Sequence, residues 1–537
     1  MTKRITLGLG LALALCLTSC SPYDLSCPED QISATCVKGT TPTTGPTTQP
    51  CSSGVLVPPT GPVKLDVATA ILLALNNNKQ LAVAKYNPPI NRTAELTALA
   101  AFDPTISGTV SVGKTENDQT NLTPFLPIAI NNTGNLLMGI SEFLPTGTQF
   151  NLGETTNVND PECGPASDNS RIGLGVTQSL LRGFGCDVNL ATLRQTRIDT
   201  QISLYELRGT ALTIVAQTEE AYWDYVLAVR QIDIVTNSLE LAQKQLDETN
   251  ERIKVGRLAE TERAAAEAEV ASRQQDLIVA RAALNTAYLA LMQLMSPPGD
   301  NPFTRPIVIL QQPSTAEVSL GPVEFHVQIG ERMRPELNES RLQINRNTLE
   351  IVKTKNGLLP KLDLFATLGK TGYAKTIGGT FNDIFHGKSF DANVGLNGEF
   401  QLTNRTARAA YTRTLLLRDQ DFQALENLSQ TVDVDVRDAY TNAELLHEAV
   451  KATAATRRLE EVKLQAEEEK FRLNKSTSLQ VAQVQRDLLN SQINEQQAIA
   501  AYLKALVELY RLEGSLLERR GITAPGGKPV AIVPQKK

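Results

Sequence analysis

Aromatic residues are scarce in this chain of 537 residues: they make up 5% of it, and Trp223 is the single tryptophan. Because large aromatic side chains contribute much of the buried area of ordinary globular cores, a thick core of that kind is not expected. The formal net charge is only −6, which excludes the strongly basic surface typical of nucleic-acid binding. Hydrophobic residues make up 41% of the chain, so wholesale disorder is also excluded.

Histidine is rare as well, and the sequence shows no catalytic or metal-binding pattern. The three histidines, His326, His386 and His447, lie far apart and are better explained as surface or packing residues than as ligands. No phosphate-binding loop occurs, and no set of acid, nucleophile and metal ligand has the spacing of an enzyme family. We therefore expect a protein that is not an enzyme and that holds no metal or cofactor.

Residues 1–19 have the composition of an export signal. Lys3 and Arg4 precede an apolar run over 5–17, which is too short to span a membrane. The sequence Leu-Thr-Ser-Cys that ends at Cys20 resembles the bacterial lipobox, in which the cysteine is acylated and becomes the mature N-terminus. This predicts a covalent lipid such as palmitate on Cys20, and Ser21 is typical of sorting to the outer membrane. The alternative is an ordinary signal peptide with a coincidental cysteine.

Residues 20–62 are rich in Thr, Pro, Ser and Gly, which indicates an extended linker behind the lipid. Further cysteines occur at Cys27, Cys36, Cys51, Cys163 and Cys186. Their spacing matches no zinc site, and an oxidising compartment favours disulfides. One possible pair is Cys27 with Cys36, and the other pairings stay open. Cys163 and Cys186 flank a predicted strand that would separate them by about 30 Å, which argues against a direct bond.

The chain repeats itself. The stretch 80–104 aligns without a gap with 336–360, at an offset of 256 residues, and 251–258 aligns with 469–476 at an offset of 218. The offsets differ by 38 residues, so the first half carries an insertion of that length. Each half reads as a helix, a strand region, a very long helix, a tight turn and a return helix. We therefore divide the chain into a first repeat, an equatorial linker, a second repeat and a C-terminal tail, at 63–296, 297–322, 323–514 and 515–537.

Alternation of apolar and polar residues predicts the strands. It occurs over 105–112, 171–180, 361–368 and 393–402, each with one apolar and one polar face. A soluble sandwich would need a second layer over the apolar face, whereas a barrel in lipid needs none. About ten residues per strand suffice to cross a bilayer. Two or four strands per half cannot close a barrel alone, so we expect oligomerisation.

The insertion leaves the number of strands open. It contains two apolar stretches, 136–144 and 149–153, on either side of a Pro-Thr-Gly-Thr turn. It is either an extra strand pair, which would give six strands per chain, or an extracellular loop, which would give four. The hairpin-like pattern slightly favours the pair.

Two proline-free stretches predict very long helices. One covers 189–253, where an apolar heptad register continues from Ala211 to Ile253, and the second half repeats it over 405–471. About 65 residues at about 1.5 Å each give a helix of roughly 100 Å. The mostly small residues of the register favour broad sheets of packed helices, and a two-helix coiled coil is the alternative.

The return helices, 258–295 and 477–512, are too short to match the long helices alone. In the second half a helix over 336–357 makes up the difference. In the first half Pro88 and Pro89 predict a break or kink in the corresponding helix.

Several landmarks occur in a fixed order. They are Phe-Asp-Pro at 102–104, Gln-Ser-Leu-Leu-Arg-Gly-Phe-Gly at 178–185, Lys-Val-Gly-Arg at 254–257 and Val-Gln-Arg-Asp-Leu-Leu at 484–489. With these landmarks and its two repeats, the chain resembles the TolC family of outer-membrane efflux proteins over nearly its whole length.

The resemblance implies an α+β membrane protein. It would be a homotrimer whose strands form one transmembrane β-barrel in the outer membrane, continued by a hollow α-helical barrel in the periplasm. The implied function is a passive duct in tripartite efflux or type I secretion. The implied partners are a periplasmic adaptor protein and an inner-membrane transporter that supplies the energy.

The resemblance also indicates the functional ends of the duct. The turns between long and return helices would contact the adaptor, through Val255, Gly256, Arg257 and Leu258, and through Leu473, Asn474, Lys475 and Ser476. Gly256 or Asn474 suits the left-handed backbone of such a turn. The alternative is that these are simply helix-breaking residues in loops.

Some family members narrow the periplasmic mouth with acidic rings six and nine residues after the glycine of the second turn. Here Gln480 and Gln483 occupy those positions, so an acidic cation-binding gate is in doubt. At the first turn Thr261 and Glu262 match the family, and Glu262 would supply charge at the mouth. Each of the four residues could equally be a solvated helix residue.

Two other classes of function compete with a duct. A periplasmic coiled-coil lipoprotein would be a spacer without a pore, and the paired strand regions argue against it. A cell-wall hydrolase on a helical stalk lacks the necessary catalytic set. The exported substrate cannot be read from the sequence.

Overall fold

The computed structural model describes most of the chain beyond its N-terminal segment. The described residues are 33–34, 61–118, 128–161, 167–298, 302–313, 320–473 and 475–532. Cys20, Cys163 and the cysteines of the linker lie outside them, as does Asn474 of the second turn. Cys186 is described and is disulfide-bonded.

The first repeat follows the predicted order of elements. After the short strand β1 (Ser33–Ala34), its elements are β2 (Val63–Leu65), α1 (Val67–Asn77), α2 (Lys79–Ala84), α3 (Asn87–Leu99), β3 (Thr105–Asp118), β4 (Ile128–Phe143), β5 (Thr148–Pro161), β6 (Asp168–Ser179), α4 (Cys186–Asn189), α5 (Ala191–Lys254) and α6 (Thr261–Met295). The predicted break at the two prolines lies between α2 and α3. Pro88 occupies the first turn of α3, where a missing N–H interrupts no helical hydrogen bond.

The linker and the second repeat supply the remaining elements. They are β7 (Ile307–Ile309), α7 (Val323–Met333), α8 (Pro335–Asn356), β8 (Lys361–Ala374), α9 (Ile377–His386), β9 (Phe390–Glu399), α10 (Arg405–Arg472), α11 (Ser478–Leu512), α12 (Leu516–Arg519) and β10 (Ile522–Thr523). Helices α7 and α9, of 11 and 10 residues, were not indicated by the sequence pattern. Helix α9 connects β8 to β9.

Six strands form a single antiparallel sheet in the order β3, β4, β5, β6, β8, β9. The insertion therefore supplies a strand pair, β4 and β5, as the hairpin-like pattern favoured. Strands β3 and β9 are the edges of the sheet. Of the connections at the far end, away from the long helices, the one between β8 and β9 is described, and it contains α9.

The four long helices have nearly the predicted bounds. Helices α5 and α10 contain 64 and 68 residues, and the return helices α6 and α11 contain 35 each. Each long helix packs on its own return helix, and α8 packs on both α5 and α10. At about 1.5 Å per residue α5 is roughly 100 Å long.

The main hydrophobic core lies midway along the helices, where α1, α5, α10 and α11 meet. Strand β7 of the linker pairs in parallel with β2 at this level. The start of the C-terminal tail also packs here, because Leu516 and Leu517 of α12 are fully buried. Arg208 of α5 is 0% exposed and forms an ion pair with Glu518 of α12.

The histidines occupy packing and surface positions. His326 is buried, with Nδ1 2.5 Å from Oε2 of Glu513, whereas His386 is exposed. Within the described part of the chain no cluster of His, Cys, Asp or Glu has the geometry of a metal site.

Candidate functional site

One face of the six-stranded sheet is apolar and exposed. Ile106, Ile140, Leu152, Leu174 and Leu368 lie side by side across five strands, each 45% to 78% exposed. Among the described residues, α9 is the only α-helix with extensive contacts to these strands, and it lies near one end. An apolar face without a covering layer suits a strand wall in lipid and not a soluble sandwich.

The opposite face is polar and carries a row of glycines. Gly139, Gly153, Gly173 and Gly369 occupy neighbouring positions on β4, β5, β6 and β8, and Asp391 of β9 comes next in the same row. Successive residues of a strand point to opposite faces, so this row lies on the face turned away from the apolar one. The four glycines contribute no side chains of their own to this level of the sheet.

Arg171 lies flat across this glycine row. Its Nη2 is 2.6 Å from Oδ2 of Asp391 and its Nε is 3.1 Å from Oδ1, so the ion pair bridges β6 and β9 over β8. A Cβ on Gly369 would stand 2.5 Å from Nη2 of Arg171, and a Cβ on Gly173 would stand 2.5 Å from Nη1. The two glycines therefore form the space in which the guanidinium lies.

The first helical turn follows α5. Gly256 has a φ of +67°, the left-handed conformation expected at the end of the helix, and Val255 is 66% exposed. Arg257 is exposed too. Leu258 differs from its neighbours, because it packs against an apolar cluster that includes Phe471 of α10.

The second helical turn follows α10. Leu473 is 66% exposed and Lys475 is exposed, while Asn474 lies outside the described residues. Ser476 donates a hydrogen bond to Glu467. Hydrogen bonds from Lys470 and Ser476 hold the pKa of the Glu467 carboxyl below its usual value. Glu467 thus binds Lys470 before the turn and Ser476 after it.

The two turns lie side by side at the same end of the molecule. The guanidinium carbon of Arg252 lies 4.2 Å from the centre of the Phe471 ring, which is a cation–π contact between the ends of the long helices. Ser478 at the start of α11 donates a hydrogen bond to Glu262 at the start of α6. Each helical hairpin therefore positions the other.

The four candidate constriction residues differ in their surroundings. Glu262 is bound to Ser478, and Gln480 forms a capping box with Thr477 at the start of α11. Thr261 and Gln483 are exposed. The capping box was readable from the spacing of Thr477 and Gln480, whereas the bond between the hairpins depends on tertiary structure.

Comparisons with known proteins agree with this architecture. The family described as "Outer membrane efflux protein" matches residues 70–296 and 331–515, which is more than half of the chain. The outer membrane efflux protein BepC of Brucella suis is 27% identical over 345 residues, covering 61% of this chain and 69% of that protein. The outer membrane protein TolC of Vibrio cholerae is 22% identical over 390 residues, covering 71% of this chain and 85% of that protein.

A solved structure has the same fold. The Campylobacter jejuni CmeC outer membrane channel superposes with a TM-score of 0.61 at 16% identity, covering 84% of this chain and 86% of that chain. The repeated hairpins, the uncovered sheet face and the family match lead to one conclusion. The chain belongs to the outer membrane efflux protein family.

Proposed function

We propose that the chain is the outer-membrane channel of an export system and that three copies close one β-barrel. The observation that carries the proposal is a six-stranded sheet with an exposed apolar face and two free edges, β3 and β9. In lipid, unpaired backbone groups at such edges are too costly, so each edge must pair with another chain. Pairing β9 of one copy with β3 of the next satisfies both edges.

The polar face would then line the lumen, and the long helices would continue the wall into the periplasm. A water-filled duct lets a polar solute cross the membrane without entering lipid. Transport through it involves no chemical reaction of the solute. The duct is passive, and an inner-membrane transporter supplies the energy. This transporter belongs to either an efflux or a type I secretion system.

The two turns are the proposed contact with a periplasmic adaptor. Their exposed apolar residues, Val255 and Leu473, offer buried area to a partner helix, and the neighbouring Arg257 and Lys475 add charge. At the other end of the chain, acylation of Cys20 would anchor the linker in the membrane.

The proposed periplasmic mouth is lined by Thr261, Glu262, Gln480 and Gln483. Only Glu262 brings charge, so Glu262→Gln should make an open channel less selective for cations. Gln483→Glu, which adds a carboxylate at an exposed position, should do the opposite. Reversal potentials in a KCl gradient measure both shifts, and unchanged potentials in both variants would place these residues away from the mouth.

Planar-bilayer recordings test the proposal against its main alternative. The purified full-length protein should give discrete conductance steps. A periplasmic spacer without a pore gives none, so silent bilayers with correctly inserted protein would favour the spacer.

A further inference from the structure

Helix α9 is a ten-residue helix in the connection between β8 and β9, at the end of the sheet far from the long helices. Thr376 caps it by accepting a hydrogen bond from the N–H of Gly379, at 3.3 Å. Its sequence contains two adjacent glycines, Gly378 and Gly379, which disfavour a helix. Tertiary contacts must therefore hold it in place.

The contacts of α9 place it on the apolar face of the sheet. Thr380 Oγ1 lies 2.7 Å from Oγ of Ser170, and a Cβ on Gly372 would collide with the Thr380 carbonyl oxygen. Ser170 and Gly372 are paired in register. Arg171, the next residue after Ser170, points to the polar face, so α9 lies on the opposite side from the proposed lumen.

Here α9 covers a polar interruption of the apolar face. Thr156, Asp168 and Ser170 lie near the far end of β5 and β6 and are at most 5% exposed. Thr156 and Ser170 hydroxyls are 2.6 Å apart, and the chain of hydrogen bonds continues to Thr380. Without α9 these groups would face lipid at a cost in free energy. The helix buries all three, and its Thr380 hydroxyl completes the hydrogen-bond chain of Thr156 and Ser170. Oδ1 of Asp168 has no hydrogen-bond partner among the described residues.

The outer side of α9 restores an apolar surface. Ile377 is 48% exposed and Phe385 is 71% exposed, and Phe390, the first residue of β9, is 75% exposed. Phe390 belongs to the same sheet face as the other exposed apolar residues, because it pairs with Lys370 in the row next to Leu368. The helix thus continues the apolar face outward.

Lysines surround this apolar surface. Lys370 donates a hydrogen bond of 3.4 Å to the Phe385 carbonyl at the end of α9. Lys375 precedes the helix and Lys388 follows it, and both are exposed. In the described part of the chain neither Lys375 nor Lys388 forms an ion pair. Apolar side chains beside free ammonium groups are the pattern of a helix that lies at a lipid headgroup boundary.

We propose that α9 is an interfacial helix that docks on the outer leaflet, with its apolar side chains among the acyl chains and Lys375 and Lys388 on the phosphates of anionic lipid. The proposal rests on the proposed function, because it needs the apolar sheet face in lipid. Strand β8 ends at Ala374, four residues beyond Lys370, so α9 covers about the outermost 13 Å of the sheet. An interfacial helix buries its apolar face about 5–10 Å deep, and that depth lies within this span.

Tryptophan quenching tests the location. In a Trp223→Phe background, single tryptophans are introduced as Phe385→Trp on α9, Val394→Trp on the apolar sheet face and Tyr373→Trp on the polar face near the same end. The proteins are reconstituted in vesicles whose lipids carry bromine on the acyl chains. We expect strong quenching for Phe385→Trp and Val394→Trp and little for Tyr373→Trp.

The outcomes separate the two proposals. Quenching at position 394 without quenching at 385 would overturn the interfacial helix and leave the lipid-facing sheet intact. Absence of quenching at both positions would overturn the proposed function itself. Quenching at 385 and 394 but not at 373 supports both.

The lysines need their own test. Adding phosphatidylglycerol to the detergent-solubilised wild-type protein should raise its melting temperature more than adding phosphatidylcholine does. The double variant Lys375→Gln/Lys388→Gln should lose this difference. The control Lys64→Gln/Lys79→Gln removes the same charge from exposed positions in the first repeat. This control should still be stabilised more by phosphatidylglycerol than by phosphatidylcholine. Equal behaviour of the two double variants would overturn the phosphate contact.

Discussion

Arg171 and Asp391 form a two-point ion pair across β8, with Nη2 2.6 Å from Oδ2 and Nε 3.1 Å from Oδ1. The pair joins the first repeat to the second, since the two residues lie 220 positions apart in the sequence. It also keeps a guanidinium against the wall of the proposed lumen. The two charges of the pair cancel there, so the proposed lumen wall is locally neutral at this level.

Breaking the pair should change ion selectivity in opposite directions. Asp391→Asn leaves an uncompensated guanidinium in the lumen and should shift the reversal potential toward anion selectivity, whereas Arg171→Gln leaves a carboxylate and should shift it toward cations. The double variant should return close to wild type. Folding stability should change little in either single variant, because both side chains are more than a third exposed and water screens the pair. Shifts of the same sign in both single variants would contradict this account.

Replacing a glycine of the row by alanine should change conductance at Gly369 and leave it unchanged at Gly153. A Cβ on Gly369 would lie within 2.7 Å of Arg171 and Asp391 atoms, so Gly369→Ala should displace the guanidinium and change single-channel conductance. Gly153→Ala is the matched control from the same row, since its Cβ has an ordinary contact of 3.6 Å. Equal conductance in the two variants would mean that the guanidinium does not occupy this place.

Phe471 should hold the two turns together, and Leu473 should not. Phe471 is 4% exposed in the apolar cluster and under the Arg252 guanidinium. Phe471→Ala should destabilise this end of the molecule by about 3 kcal/mol and speed amide hydrogen exchange around 250–262 and 470–480. Leu473→Ala, at an exposed position two residues away, should change stability by less than about 0.5 kcal/mol. If Leu473 contacts an adaptor, Leu473→Ala should weaken adaptor binding. Its amide hydrogen exchange should stay that of the wild type.

Much of the architecture was predictable, because periodicity reports which residues face the same way. The alternating stretches gave the strands, and the turn between Leu144 and Thr148 indicated the extra pair. Helix α9 was not predictable, because its adjacent glycines oppose helix formation and the contacts of Thr380 and Ile384 with the sheet decide it. The ion pair of Arg171 depends on strand register between distant segments, which local pattern does not contain.

Glu339 should make stability depend on pH. Burial, together with the nearby carboxylates of Glu206 and Glu336, raises the pKa of Glu339 to about 7. A carboxyl whose folded pKa exceeds its unfolded value binds protons more tightly when folded, so its contribution to stability is lost as pH rises from about 4.5 to about 7.

Glu339→Gln should therefore be more stable than wild type at pH 8, with the difference shrinking toward pH 5. Melting temperatures across this range measure it. The same substitution at the exposed Glu444 should leave the pH profile unchanged. A difference for Glu339→Gln that is constant with pH would contradict the raised pKa.

Pairing of β9 in one copy with β3 in the next is the central claim. The two strands are the opposite edges of a six-stranded sheet, about 24 Å apart at about 4.8 Å per strand, so a disulfide between them within one chain is impossible.

The most direct measurement is disulfide crosslinking in membranes. Val394→Cys is combined in turn with Ile106→Cys, Val110→Cys and Val112→Cys. Each double variant is oxidised in membranes, and its species are then separated by size under denaturing conditions. Dimer and trimer bands that dithiothreitol reverses are expected for the β3 position that lies opposite Val394 in the neighbouring copy. Monomers alone in every combination would contradict the pairing of β9 with β3.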